Sequence, residues 1–377
     1  PDESRHQSDA TLRAILSSHL EACPNDRRSG RIGFDLPRSS GGSDPISPAD
    51  ERCLIHFRST RGSICKIGAV LSIKHTFQLI CLGRSTVDLL NLVDHFPCDD
   101  DLIRVLDSSI QGGGPVATAA AAASRLGLRC AILDCIGDDW RAVIIRTEFE
   151  KQGVCVEYLQ QAPECESTQS VILVEAPTGK RAIINARGKT PPPSITPAWI
   201  DLLQSCAVLH ITGTYAEMVL SAISIVSEAG GRISFDGGAG LFREEDRRII
   251  EKVNWCIFAE DYARQLTGLD DVPSMLASIS AMGPEIVGIT SGTNGSDWWV
   301  EDGSQFHQDA FPVTPVVDTT GCGDSFHGAF IFAMLNGYTI KEAARIASAV
   351  AAMNARVLGG RAGLPDLQMV HQFIHSL

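Results

Sequence analysis

The chain has no uninterrupted apolar stretch of roughly eighteen residues, so no membrane span is expected. The nearest approach, residues 64–82, is broken by Lys66, Lys74 and His75. No Cys-x-x-Cys pair and no Cys/His zinc spacing occurs among its twelve scattered cysteines. In a chain of 377 residues this pattern fits reduced thiols in a cytoplasmic protein better than a disulfide framework. Positive charge is the scarcer kind: 32 Lys and Arg stand against 45 Asp and Glu, a formal charge of −13. The first 75 residues carry 11 basic and 9 acidic side chains, so the remainder carries 21 against 36, a balance of −15. Such a body repels nucleic acid and anionic membranes, and neither is an expected partner. If the chain handles phosphate, it must do so locally, through helix ends, backbone amides and a metal ion. A Gly-x-Gly-x-x-Gly directly after the first strand is also missing, which places a Rossmann dehydrogenase last among the α/β candidates.

Residues 1–75 read as a poorly ordered extension. Residues 1–50 are rich in Ser, Pro, Gly, Asp and Arg, and 37–45 read as a linker. A transit peptide would be acid-poor, whereas this segment holds Asp2, Glu3, Asp9 and Glu21. From Phe77 the pattern becomes regular. A buried strand is expected at 77–83, an exposed strand at 102–110, a helix at 115–126 and a strand at 129–136. A hairpin is expected over 170–187 around Pro177-Thr-Gly-Lys180. Strands and helices then alternate to the end, with final helices at 324–335 and 340–357. That alternation predicts an α/β domain with a mostly parallel sheet and helices on both faces. Strands 102–110 and 170–187 do not fit this layering and should form a small sheet beside it.

Two blocks carry chemistry. In residues 316–330, Gly321, Cys322 and Gly323 precede Asp324 and an apolar run at helical spacing. Glycines let bare amides face a ligand, and a helix start presents unpaired N–H groups to the same point. One carboxylate there can take a proton from an incoming hydroxyl, so the set supplies an anion hole and a base, as phosphoryl transfer requires. The plainer meaning is a strand-to-helix turn with an Asp cap. In the second block, Gln111-Gly-Gly-Gly-Pro115 opens an Ala-rich helix that leads on to Ile136-Gly-Asp-Asp139. Here the glycines allow close approach of a ligand to the backbone. Cys322 sits where a thiolate would be favoured by the helix end, which makes it a candidate thiol-sensitive position.

The string Asp318-Thr-Thr-Gly-Cys-Gly-Asp324 closely resembles the C-terminal signature of the ribokinase-like (PfkB) carbohydrate kinases, and the Gly112–Gly114 block resembles the N-terminal one. The resemblance covers residues 77–377 and is nearest to the sulfofructose kinase and ketohexokinase-like branch. It implies a ribokinase-like fold whose extra sheet is a lid over the sugar. ATP and Mg²⁺ are the implied cofactors, and a homodimer through the lid is left open. It implies Asp324 as base with Gly321, Cys322 and Gly323 as anion hole. Asp88, Gly112, Gly113, Gly114 and Asn185 would bind substrate. Thr290, Gly292, Gly295, Ser348 and Gly360 would bind nucleotide. Asp318, Thr320, Ala355 and Gly360 match a monovalent-cation site that could hold K⁺. The relatives' Asn-x-x-Glu before Leu266-Thr-Gly268 is absent, leaving Glu260 as a Mg²⁺ candidate. Gly213 stands where sulfofructose kinase has its sulfonate-binding Arg, and Arg187 and Lys189 are alternative anion receivers. The expected function is ATP-dependent phosphorylation of a sugar hydroxyl, a ketose or related sugar. The rivals are a kinase of a non-sugar alcohol such as a nucleoside, and a catalytically weak binding protein.

Overall fold

The computed structural model describes residues 77–238 and 242–376, all within one compact unit, Lys66–Leu377. The extension expected over residues 1–75 lies outside the described residues.

The chain enters at β1 (Leu79–Leu82), β2 (Thr86–Val93) and β3 (Asp107–Gly113), then forms α1 (Pro115–Arg125). There follow β4 (Cys130–Leu133), β5 (Cys135–Ile136), α2 (Trp140–Lys151), β6 (Gln160–Gln161), β7 (Thr168–Glu175) and β8 (Arg181–Ala186). Next come α3 (Pro197–Gln204), β9 (Val208–Thr212), α4 (Ala216–Glu228), β10 (Arg232–Asp236) and α5 (Asp246–Ile250). Then follow β11 (Trp255–Ala259), α6 (Glu260–Thr267), α7 (Val272–Ser280), β12 (Ile286–Thr290), β13 (Ser296–Val300) and β14 (Gln305–Gln308). The chain closes with α8 (Cys322–Leu335), α9 (Ile340–Asn354) and α10 (Leu367–His375).

Eight strands make the main sheet in the order β14-β13-β12-β11-β10-β9-β1-β4. It is parallel except for the hairpins that add β13 and β14. Its strands are apolar on both faces because helices cover both. Leu79 and Cys81 pack with α1, α8 and α9, whereas Ile80 and Leu82 pack with α3, α4 and α7. Trp298 is fully buried on the first of these faces and stacks on Phe330 of α8 at 4.9 Å. The run Ala119–Ala123 is wholly buried, so α1 brings its backbone close under α8.

The second sheet has the order β3-β2-β7-β8. Two of its strands differ from the sequence reading. The strand expected at 102–110 starts only at Asp107 and runs on to Gly113, because Gly112 and Gly113 pair with Val87 and Thr86. Leu102, nearly fully exposed, precedes it as irregular chain. β2 was not expected at all, and Asp88 therefore lies inside a strand rather than in a loop after β1. The register sorts this sheet into two faces. Gln111, Asp88, Ser170 and Asn185 form one row across it, and Leu90, Ile172 and Ile183 continue the same face. Ile110, Leu89, Val171 and Ile184 form a row on the opposite face, with Ile110 and Ile184 exposed.

Candidate active site

A cavity of about 270 Å³ lies at the carboxyl ends of the parallel strands, between the main sheet and the inner face of the second. Asp88, Ser170 and Asn185 form one wall, while Gly321, Gly323 and Asp324 at the start of α8 form another. Asp236 at the end of β10, Ala259 at the end of β11 and Thr290 at the end of β12 close the floor. This is where an open α/β sheet places ligands.

The start of α8 is set by Gly321, which caps the helix with φ of 71° and packs on Gly360. A Cβ at Gly321 would stand 2.6 Å from the Gly360 Cα and 2.7 Å from its carbonyl oxygen. Asp324 is the third helical residue. In the first turn the amides have no partner within the helix. That of Cys322 already donates to the Thr319 carbonyl at 3.4 Å, leaving Gly323 and Asp324 as the available pair. Burial pushes the Asp324 carboxyl up to about 7, and the nearby Asp236 carboxylate adds to this. His327 and Arg181 oppose the rise without cancelling it.

Cys322 overturns the thiolate expectation. Its Sγ donates to the Ala351 carbonyl at 3.5 Å, and burial pushes the thiol up to about 12. The sulfur faces α9, away from the cavity, so the helix-end field does not ionise it.

Asp88 accepts from the Thr86 hydroxyl at 2.7 Å, and its pKa is raised by burial against the opposing pull of Thr86 and Arg361. Gly113 must be glycine, since a Cβ there would stand 2.0 Å from the Asp88 carboxylate. Asn185 Nδ2 donates to Ser170 Oγ at 3.1 Å, in the same cross-strand row. Beneath this wall, Arg361 is buried and holds the glycine loop in place. It donates to the Gly113 carbonyl at 2.9 Å and to Thr118 Oγ1 at 3.1 Å. Gln111 reciprocates by donating to the Leu358 carbonyl at 3.0 Å and accepting from the Arg361 amide. Burial lowers Arg361 to about 10, so it stays charged at neutral pH.

The structure brings Asp324, Gly321, Gly323, Asp88, Gly114, Asn185 and Thr290 to one cavity. It does not bring every expected residue there. Gly292 and Gly295 lie in the tight turn that joins β12 to β13, the hairpin meaning of Asn-Gly. Ser348 is buried on α9 and donates to the Asp309 carbonyl at 3.4 Å. Glu260 accepts from Arg264 at 2.7 Å along α6, which gives it a partner other than a metal ion. Asp318, Thr320, Ala355 and Gly360 are assembled; Thr320 lines the cavity with its Oγ1 buried and unpartnered, whereas acceptors of the other three already have donors. Asp318 accepts from the Thr320 and Gly359 amides, each at 2.8 Å. Ala355 O accepts from Val317 and Asp318, and Gly360 O from Asn354. Of the proposed anion receivers, Lys189 pairs with Glu166 at the surface and Arg187 is exposed.

Three titratable cavity residues were not read from the sequence. Arg181 on β8 is the only Lys or Arg among the described residues lining the cavity, and it donates to Thr319 Oγ1 at 2.9 Å. Asp236 and His327 face each other at 3.4 Å. His327 lies three residues after Asp324, hence on the same helix face, and that spacing was the available signal.

A helix end, a carboxylate of raised pKa and a polar wall at the ends of parallel strands define a phosphotransferase acting on a small alcohol. The family model of pfkB family carbohydrate kinases matches residues 76–367, and the chain belongs to that family. Ketohexokinase of Mus musculus is 26% identical over 290 residues, covering 75% of this chain and 97% of that protein. A nucleoside kinase of Methanothermobacter thermautotrophicus is 25% identical over 296 residues, covering 77% and 93%. Among solved structures, Arabidopsis thaliana ribokinase complexed with ribose and ATP superposes with a TM-score of 0.71 at 21% identity, covering 79% of this chain and 98% of that one. The chain is a sugar kinase with the ribokinase-like fold.

Proposed function

We propose that the enzyme transfers the γ-phosphoryl group of ATP to a hydroxyl of a ketose or related monosaccharide, with Asp324 as general base. The observation that carries this reading is the facing of two polar walls across one small cavity. Asp88, Ser170 and Asn185 offer acceptors and a donor to sugar hydroxyls, and Asp324 stands opposite beside free amides. No Phe, Tyr or Trp lines the cavity among the described residues, which disfavours a nucleoside base as acceptor. The Gly323 and Asp324 amides and the Arg181 guanidinium would stabilise charge on the transferring group. Mg²⁺ would arrive with the nucleotide, held by its phosphate oxygens and water. Its charge would offset the build-up of negative charge that the cavity's own carboxylates oppose. The second sheet would act as the lid and exclude water on closure. Its outer apolar row through Ile110 and Ile184 supports a homodimer formed there. A cytoplasmic location fits the nine free cysteines of the described residues.

An ADP-release screen across ketoses, aldoses, their phosphates and nucleosides tests the substrate class. A ketose should give the highest kcat/KM, and a nucleoside preference would reject the reading. The pH profile tests the base. A base must be deprotonated to act, and that of Asp324 is held near 7. Thus kcat/KM should rise with pH through about 7 and level above it. A flat profile from pH 5 to 8 would remove Asp324 from that role.

A further inference from the structure

Beside Asp324 the chain holds a cluster for which phosphoryl transfer has no evident use. His210 comes from β9, Asp236 from the end of β10 and His327 from α8. One ligand atom from each lies within 4.8 Å of the others. All three are buried, His210 completely and His327 to 5% exposure. His210 Nδ1 faces Ser234 Oγ at 3.1 Å, while its Nε2 is buried without a partner. His327 Nε2 faces Asp236 Oδ1 at 3.4 Å, and its Nδ1 is likewise unpartnered. Buried ring nitrogens are normally hydrogen-bonded, so two orphans in one cluster call for a ligand.

We propose that His210, Asp236 and His327 form a binding site for a borderline transition-metal ion of the Zn²⁺ class, opening onto the substrate cavity beside Asp324. Two imidazoles and a carboxylate, with a fourth position left to solvent, is the donor set of open zinc sites. It is a poor site for Mg²⁺, which prefers oxygen ligands and retained water, so the nucleotide's metal does not compete for it. Ser234 on the neighbouring strand accepts from His210 Nδ1–H when Nε2 carries the lone pair, the outer contact that fixes a metal-binding tautomer. The site is reached from the cavity, because Asp236 and His327 line it. An ion there would stand beside the carboxylate that faces the acceptor hydroxyl. Occupancy therefore blocks the sugar position, and the metal acts as an inhibitor rather than a cofactor.

Co²⁺ is the probe, added to the full chain in excess Mg²⁺ and without ATP. The expected result is about one equivalent bound, with visible d–d absorption, displaced by Zn²⁺. The affinity should fall roughly 10–100-fold or more in His210→Gln and in His327→Asn, each checked for native melting. If His210→Gln does not fold, His327→Asn at the cavity wall decides. Zn²⁺ inhibition should be competitive with sugar in the wild type and weaker by the same factor in the variant. No bound Co²⁺, binding that shows thiolate charge-transfer bands, or variants that bind as tightly as wild type would each overturn the assignment.

Discussion

Asp324→Asn should lose about 10²–10⁴-fold in kcat while keeping the fold and nucleotide binding, the usual range for removal of a general base. The same change should make the protein more stable above neutral pH. The folded-state pKa of Asp324 is raised to about 7, well above the ordinary carboxylate value near 4. A group shifted in this direction favours folding most when protonated, below its unfolded pKa. That contribution is lost as pH rises through about 7, so at pH 8 the wild type carries a buried charge that Asn does not. At about 1.4 kcal/mol per pKa unit, the difference is a few kcal/mol at most. The melting temperature of Asp324→Asn should exceed that of the wild type at pH 8, and the gap should narrow towards pH 5. Turnover near wild type would dismiss Asp324 as the base. Equal stability at both pH values would show that its carboxyl is not desolvated.

Gly321→Ala should damage both the fold and turnover. The residue has φ of 71°, where an L side chain costs about 1–2 kcal/mol. Its Cβ would also meet only backbone, at 2.6 and 2.7 Å from Gly360, and backbone on both sides cannot swing away as a side-chain end can. Relief requires moving either the cap of α8 or the 358–361 segment, and both define the cavity. The expected result is a melting temperature lowered by several degrees and a kcat lower by more than about tenfold, since the amides facing the transferring group shift with the cap. Cys322→Ala, one residue on, should behave as wild type, because the thiol points to Ala351 and is not ionised. Alkylating reagents should spare the position for the same reason. Equal effects at 321 and 322, measured by steady-state kinetics and thermal melts, would overturn this account of the helix start.

The sequence disclosed local chemistry better than long-range pairing. Asp324 and the glycines around it were legible because a helix start is written in consecutive residues. The alternation of strands and helices was legible for the same reason, since each element carries its own period. β2 was missed although Gly83-Arg84-Ser85 separates it from β1, because its partners, β3 and β7, lie about 20 and 80 residues away. Without that pairing Asp88 could be placed near the cavity but not on a sheet face. β13 and β14 were missed because they extend the sheet only by antiparallel hairpins at its edge. Arg181 was not singled out in the sequence, and only its bond to Thr319 across from β8 distinguishes it from the exposed Arg187. Asp236 and His327 come from different elements, and nothing in the sequence states that β10 ends beneath α8.

The tie made by residues 358–361 bears on how strain would travel within the site. Arg361 holds Gly113, Gln111 holds Leu358, and Gly359 donates to Asp318, so these few residues clasp the acceptor wall and the approach to the helix end together. The two halves of the cavity therefore share one fastening. A disturbance at any point of this short segment reaches the sugar side and the phosphoryl side at once, so damage there should be felt in substrate affinity and in turnover together.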